Sequence, residues 1–573
     1  MAGELPRPNG GPDRDPGPKP GPARRPGIVR RGAGCVQAES TSAGPSRGGR
    51  PWIAAAWLVF LLGAAPPAVP PPVEAPSRSS ALRDEFAAIL DRETAGLVAE
   101  ADRLAEAGDA RGAAEVRAQV EPPAPADGAS RIVPLPEIAP ASPPSGPPRV
   151  LALRGATARD LIDLAGRAAV ADPPRFAIAG DCLRAALART PDDPEVRRLL
   201  GHLPHRGGWA TPFAADQVRR GRVLDPKFGW VDAAWVEHLQ RGELPAPLAA
   251  GRPARWLPAA EADALRGSFD SGWSITTEHF EIQTDVPLAE VIAFGRRLEG
   301  LRDVFRAICA DVIGGEHLPM ARRLRDRSLA PRLDPAARPH SVAYFATKAG
   351  YLDHLASKGI QGLEGSLGYY ATPESKKGRP RGRSYFFRDE GGQLDATDTL
   401  YHEASHQLLF ESGTPAQYLR NAGHYWVFEG LGTYFETLRP RPDGSIEVGG
   451  RVGPRFANAR LRLVDHAELV PTERLVAMGQ SQLNDGREGA DRLHYAEAMA
   501  LTVYLMQGDG GRHREAFLDY VKDAYRGRLP RGAGRSLEDR IGMPYATLDE
   551  RLLAFLKGPA AAPPTPTGAC DGR

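Results

Sequence analysis

The stretch Thr399–Phe410, TLYHEASHQLLF, decides how the rest of this chain is read. It holds His402, Glu403 and His406 in the order H-E-x-x-H. On a helix, positions i and i+4 share one face a turn apart, so both imidazoles can reach one metal ion. Glu403 sits beside them, placed to take a proton from a water that the metal activates. The run itself predicts a helix: Asp395 or Asp398 can cap its start, and Leu400, Leu408, Leu409 and Phe410 supply a buried side.

A catalytic zinc takes three protein ligands and keeps one position open. Downstream, HYWVFEGLGTYFETL (424–438) is a second helical pattern, with Glu429 lying 23 positions beyond His406. A carboxylate on a second helix facing the first completes a site for one zinc ion per chain: His402, His406 and Glu429. The segment WVFEGLGTYFE resembles the W-[LV]-x-E-G-[FL]-[AG]-x-[YF]-x-E segment of gluzincin zinc metallopeptidases, that is, the peptidase MA-like families and, more distantly, the aminopeptidase N group. In those families the first glutamate is the third zinc ligand, which falls on Glu429, and Glu436 matches the second. The resemblance covers about residues 271–557. It implies a thermolysin-like α+β catalytic domain, zinc-dependent hydrolysis of peptide bonds, and a peptide or protein substrate. It also implies a tyrosine on a later helix that meets the oxyanion. In RLHYAEAMALTVYLMQ (492–507) that position is Tyr495, with His494 as the neighbour able to replace it; packing alone is the competing reading of Tyr495.

The chain also departs from that pattern. Thr433 stands where many gluzincins have an acidic residue that supports a zinc histidine. No G-x-M-E-N strand precedes His402, which weakens an aminopeptidase reading and favours an endopeptidase or an exopeptidase with different recognition. RSYFF (383–387) falls where the related enzymes have the edge strand that pairs with extended substrate. His424 is a rival third ligand, but it is off the metzincin spacing, whose positions are Leu409 and Ser412.

Working outward, Trp273–Ile275 and His279–Thr284 alternate like half-buried strands, HSVAYFAT (340–347) is another strand, and SLGYYAT (366–372) and RSYFF look like a hairpin joined by a basic loop. Leu288–Cys309 and Lys348–Ser357 read as helices between them, and a helical half follows from Asp395 to Leu556. Strands first and helices after describe an α+β domain over 271–557. The basic runs at 374–383 and 322–338 read as solvated faces.

Residues 150–270 read as mainly helical, with one tetratricopeptide-like helix pair turning at Pro191–Pro194; a solenoid needs about three such units. Trp209, Phe228, Trp230 and Trp235 either fill a small core or offer a face to a protein partner. Residues 121–149 are a Pro-rich linker, and 73–120 a helical segment broken near Gly108. WIAAAWLVFLLGAA (52–65) follows a run of arginines, so 51–72 reads as a signal peptide or membrane anchor. Either places the bulk of the chain outside the cytoplasm: secreted, periplasmic or membrane-anchored. Residues 1–50 are a basic, disordered Pro/Gly-rich leader, and 558–573 a disordered tail. A net charge of +2 over 573 residues argues against a nucleic-acid partner. The four cysteines form no C-x-x-C pair, which leaves a Cys182–Cys309 bridge or free thiols. The reading that competes with an enzyme is an inert envelope scaffold or binding protein that retains a peptidase-like fold.

Overall fold

A computed structural model of the chain describes residues 78–558, apart from 121–127, 144, 248–254, 316–317, 335–337, 365, 367, 373–380, 389–395, 413–422, 452, 487–489 and 533. The leader, the apolar segment 52–65, Cys35, Cys570, Lys376, Lys377 and Arg379 lie outside the described residues. Among the described residues no helix is long and apolar enough to cross a membrane.

The alternating segments form one mixed sheet. Its strands are β1 (Trp273–Thr276), β2 (Phe280–Thr284), β3 (His340–Phe345), β4 (Gly368–Ala371) and β5 (Arg383–Phe387), in the spatial order β4-β5-β3-β2-β1. β3 runs parallel to both β2 and β5, and the two outer pairs are antiparallel. A parallel pair needs a crossover, which the helix Leu288–Ile308 supplies between β2 and β3. Alternation sorts the side chains. Phe280, Ile282, Val342, Tyr344 and Phe386 join the main core, whereas Ala343, Phe345, Tyr385 and Phe387 cover a second apolar cluster with Tyr351 and Leu355.

The expectation that RSYFF is the edge strand is corrected. β5 lies between β3 and β4, and the edge is β4. The last four residues of β5 are all buried, the pattern of a strand covered on both faces, whereas GYYA alternates.

The helical half consists chiefly of a histidine helix (Ala396–Glu411), a glutamate helix (Trp426–Phe435), a tyrosine helix (Ala490–Gln507), and the helices Arg514–Tyr525 and Tyr545–Lys557. Sheet and helices together make a mixed α and β fold in which helix predominates.

Upstream, two helices (Arg78–Glu106 and Ala110–Arg117) break at Gly108, and Pro148–Val170 packs on Phe176–Arg189. Asp193 caps the next helix, Pro194–Leu200, by accepting from the N–H groups of Glu195 and Val196 at 2.8 and 2.9 Å. Beyond it the mainly helical reading fails. Residues 203–258 form three hairpins (203–210, 222–232 and 243–258) with short helices between them. The first turns at Arg206–Gly207, both at positive φ, a two-residue turn whose twist suits a hairpin. Trp209 and Phe228 are buried, and Trp230 and Trp235 half-buried.

The described part of the expected linker is also tied down. Ser130–Ile132 pairs with Ile446–Val448, and Ile138–Ala139 pairs with Trp209–Ala210. Short edge strands tolerate neighbouring prolines, so proline density there marks punctuation rather than slack. Cys182 and Cys309 are both buried free thiols, so no bridge joins them.

The N-terminal helices share their core with the helical half. One apolar cluster runs from Ile89 to Leu556. Arg83 pairs with Asp181 at 2.7 Å and with Glu515 at 2.9 Å. Arg175 grips Asp519 through two bonds of 2.9 and 2.8 Å, and Asp311 accepts from the Phe176 N–H at 2.5 Å. A chain cut to 271–558 would expose that core. In thermal melts followed by circular dichroism, the full chain should unfold cooperatively and the 271–558 fragment should aggregate or lose the transition. A cooperative melt of the fragment at the full chain's temperature would contradict the shared core.

Candidate metal centre

The histidine helix begins at Ala396, so Asp398 lies inside it; Asp395, directly before it, lies outside the described residues. Tyr401, Ala404, Leu408 and Leu409 bury one side of the helix in the main core. That leaves His402 and His406 facing the glutamate helix. Glu429 lies between the two rings: its Oε2 is 3.3 Å from His402 Nε2 and 3.8 Å from His406 Nε2. All three residues are buried, and one ligand atom from each lies within 4.8 Å of the others. Among the described residues this is the one such group of three or more that could hold a metal ion.

Two glycines explain the close approach. A Cβ on Gly432 would stand 2.7–2.9 Å from the His402 ring, so the ring occupies the space a side chain would take. A Cβ on Gly430 would meet Thr502 Oγ1 at 2.4 Å and the Ala498 carbonyl at 3.0 Å, on the tyrosine helix. The E-G-L-G run thus lets the glutamate helix sit tightly between its two neighbours. Phe428 stacks on the His406 ring at 3.7 Å and 6°.

His402 is oriented from behind. Its Nδ1 donates to Glu436 at 2.8 Å, which turns Nε2 toward Glu429. Arg455 in turn donates to both oxygens of Glu436, at 2.5 and 3.0 Å. The support that Thr433 leaves out therefore comes from Glu436, one turn further along. The Thr433 hydroxyl instead donates to the carbonyls of Glu429 and Gly430.

Burial and close neighbours shift the charges of the site. Burial would lower His402, but the carboxylates of Glu429 and Glu436 overcome it and raise the imidazole to about 10. Burial and the neighbouring His402 depress His406 to about 4, against the pull of Glu429. Burial would raise Glu429, but both histidines hold it well below the usual carboxylate range. Glu403 is pushed up to about 7, by burial and by the charge of Glu429. Three carboxylates thus share a small enclosed volume with one arginine and one imidazolium. Two imidazole nitrogens and a carboxylate oxygen suit zinc by type, and a divalent cation would relieve the surplus negative charge.

The remaining candidates separate clearly. His424, at φ 62°, uses both ring nitrogens elsewhere: Nε2 donates to the Pro530 carbonyl at 2.9 Å, and Nδ1 accepts from the Tyr520 hydroxyl at 2.7 Å. It anchors the start of the glutamate helix and is no ligand. His494 Nδ1 donates to the Leu483 carbonyl at 3.0 Å. Tyr495 lies at the site. Burial and the charge of Glu429 hold the phenol well above its ordinary value. Its hydroxyl donates to Asn484 Oδ1 at 3.3 Å.

A family described as "Protein of unknown function (DUF1570)" matches residues 396–529. No curated protein and no solved structure matches the chain. The matched stretch contains His402, Glu403, His406, Glu429, Glu436 and Tyr495.

Sequence reasoning missed Arg455 and the backbone N–H of Tyr370, which faces Glu403 from the edge strand. Neither has a local signal, because each reaches the site by tertiary packing. Replacing Gly432 with Ala should push the His402 ring aside and cost about 1–3 kcal/mol in urea unfolding. A stability equal to wild type, with the ring unmoved, would contradict the packing described.

Proposed function

We propose that this chain is a zinc-dependent metallopeptidase of gluzincin type, cutting within polypeptide chains. The observation that carries the reading is the buried gathering of His402, His406 and Glu429, with Glu403 beside them on the histidine helix. The succession of mixed sheet, histidine helix and glutamate helix supports the gluzincin assignment. The lack of a G-x-M-E-N strand, and an edge strand beside Glu403, support internal cleavage. The apolar segment 52–65 supports an extracytoplasmic place for the reaction.

His402, His406 and Glu429 would hold the ion. When bound, zinc supplies a Lewis acid that acidifies water and polarises a carbonyl. Glu403 does the proton work. A buried carboxylate beside the ion can accept a proton from the attacking water and pass it to the leaving nitrogen. Tyr495 offers its hydroxyl proton to the carbonyl oxygen as charge develops there, an interaction worth about 3–4 kcal/mol when the donor is fixed in advance. Glu436 and Arg455 keep His402 in the tautomer that presents Nε2.

Glu403→Gln keeps the shape of the site and removes its base. Its zinc content should equal that of wild type, while hydrolysis of an unfolded protein such as reduced, alkylated casein should vanish. Retained hydrolysis would rule out this mechanism. A wild-type protein that holds zinc and cuts nothing would favour the scaffold reading.

Metal binding should also release a proton. A group raised in the free protein is protonated below its raised value, and a ligand nitrogen must be bare. His402 therefore gives up its proton when zinc binds at pH 7, and zinc affinity falls as pH falls. Titration calorimetry in buffers of different ionisation enthalpy should find about one proton released per zinc. No release at pH 7 would contradict a protonated His402 in the metal-free site.

A further inference from the structure

Glu411 ends the histidine helix, where the helix dipole disfavours negative charge. Its side chain has no exposed surface. A buried carboxylate is costly unless its oxygens are well partnered, and an ion hub kept for stability alone is often replaceable by apolar residues. Here both oxygens are saturated. Oε2 accepts from His340 Nδ1 at 2.6 Å and from Arg381 at 3.3 Å. Oε1 accepts from the Gly382 N–H at 3.0 Å, from Gln407 Nε2 at 3.2 Å and from the Tyr370 hydroxyl at 3.4 Å. The donors come from β3, from β4, from the two residues that enter β5, and from the helix itself.

Tyr370 is the member that reaches back to the site. Its ring crosses Gly382 so closely that a Cβ there would stand 2.6 Å from the hydroxyl and 2.2 Å from the Ala371 carbonyl. Phe410 meets the ring edge-on at 5.7 Å. The backbone N–H of the same residue faces the Glu403 carboxylate and favours its charged form. Gly368, on the same strand, sits where a Cβ would be 3.1 Å from Glu403 Cγ. The edge strand thus packs on the proposed base at Gly368 and meets Glu411 through the Tyr370 side chain.

We infer that Glu411 and Tyr370 are positioning residues: the Glu411 carboxylate anchors the β4–β5 hairpin and, through the Tyr370 hydroxyl, fixes the edge strand where it packs against Glu403. The role in hydrolysis rests on the function proposed above; the anchor itself rests on the geometry alone. Neither residue is asked to touch substrate.

Tyr370→Phe in the full-length protein keeps the ring on Phe410 and removes the hydroxyl. Amide exchange read by mass spectrometry should quicken roughly tenfold across 368–371, the scale of one lost hydrogen bond to a charged group. Exchange in β2 and β3, zinc content and melting temperature should stay near wild type. On casein, kcat should fall about tenfold with KM little changed, since a misplaced base weakens the transition state more than binding. A merely structural role would instead lower zinc content and quicken exchange across the whole sheet, which would overturn the inference. So would unchanged exchange at 368–371, or faster exchange there with kcat intact. Glu411→Gln should move every readout in the same direction. If the wild type binds zinc yet cuts nothing, the peptidase reading fails, and the exchange arm alone then decides for or against the anchor.

Discussion

A carboxylate enclosed between two imidazoles sets the terms for everything around it. Glu429 is buried with His402 and His406, and Glu403 and Glu436 add two further acids within reach of the same rings. Such a set is tolerable only with compensating charge, and Arg455 supplies part of it from behind His402. The rest is what the proposed zinc would bring. Burial, with the charge of Glu429, raises Glu403 toward neutrality while both histidines hold Glu429 ionised, so the acid that would bind metal and the acid that would carry protons are separated by environment rather than by residue type.

The fold around this site removes freedom from it. Gly430 and Gly432 bring the glutamate helix against its two neighbours, and side chains on either would force them apart. His424 and Trp426 fasten the start of that helix to Tyr520, at 2.7 and 3.3 Å. On the opposite side the edge strand β4 faces Glu403 with the Tyr370 N–H. The N-terminal helices brace the same body through Arg83, Arg175 and the Phe176–Asp311 bond, which is why they cannot be regarded as an attachment to it.

Much of the centre was legible because its information is local. Helical spacing puts His402 and His406 on one face, and the WVFEGLGTYFE segment points to Glu429. Local strand patterns likewise marked the five strands of the sheet. What escaped was long-range. No sequence rule tells that β5 lies inside β4, though its unbroken run of buried residues hints at a strand covered twice. The hairpins of 203–258 hid behind helix-forming composition, because turn glycines such as Gly207 outweigh propensity there. The proline-dense stretch at 128–143 looked like slack chain, yet its short strands pair with partners as distant as Ile446–Val448. Glu436 was visible as a matching residue, but its hold on His402 depends on Arg455, which no spacing connects to it.

The central claim is that these three side chains form a zinc site, and metal content tests it most directly. The full-length protein, loaded with zinc, exchanged into metal-free buffer and measured by plasma mass spectrometry, should carry about one zinc per chain. Glu429→Ala, shown by circular dichroism to be folded, should carry little or none. A folded wild-type protein without zinc, or a variant that retains it in full, would contradict the account.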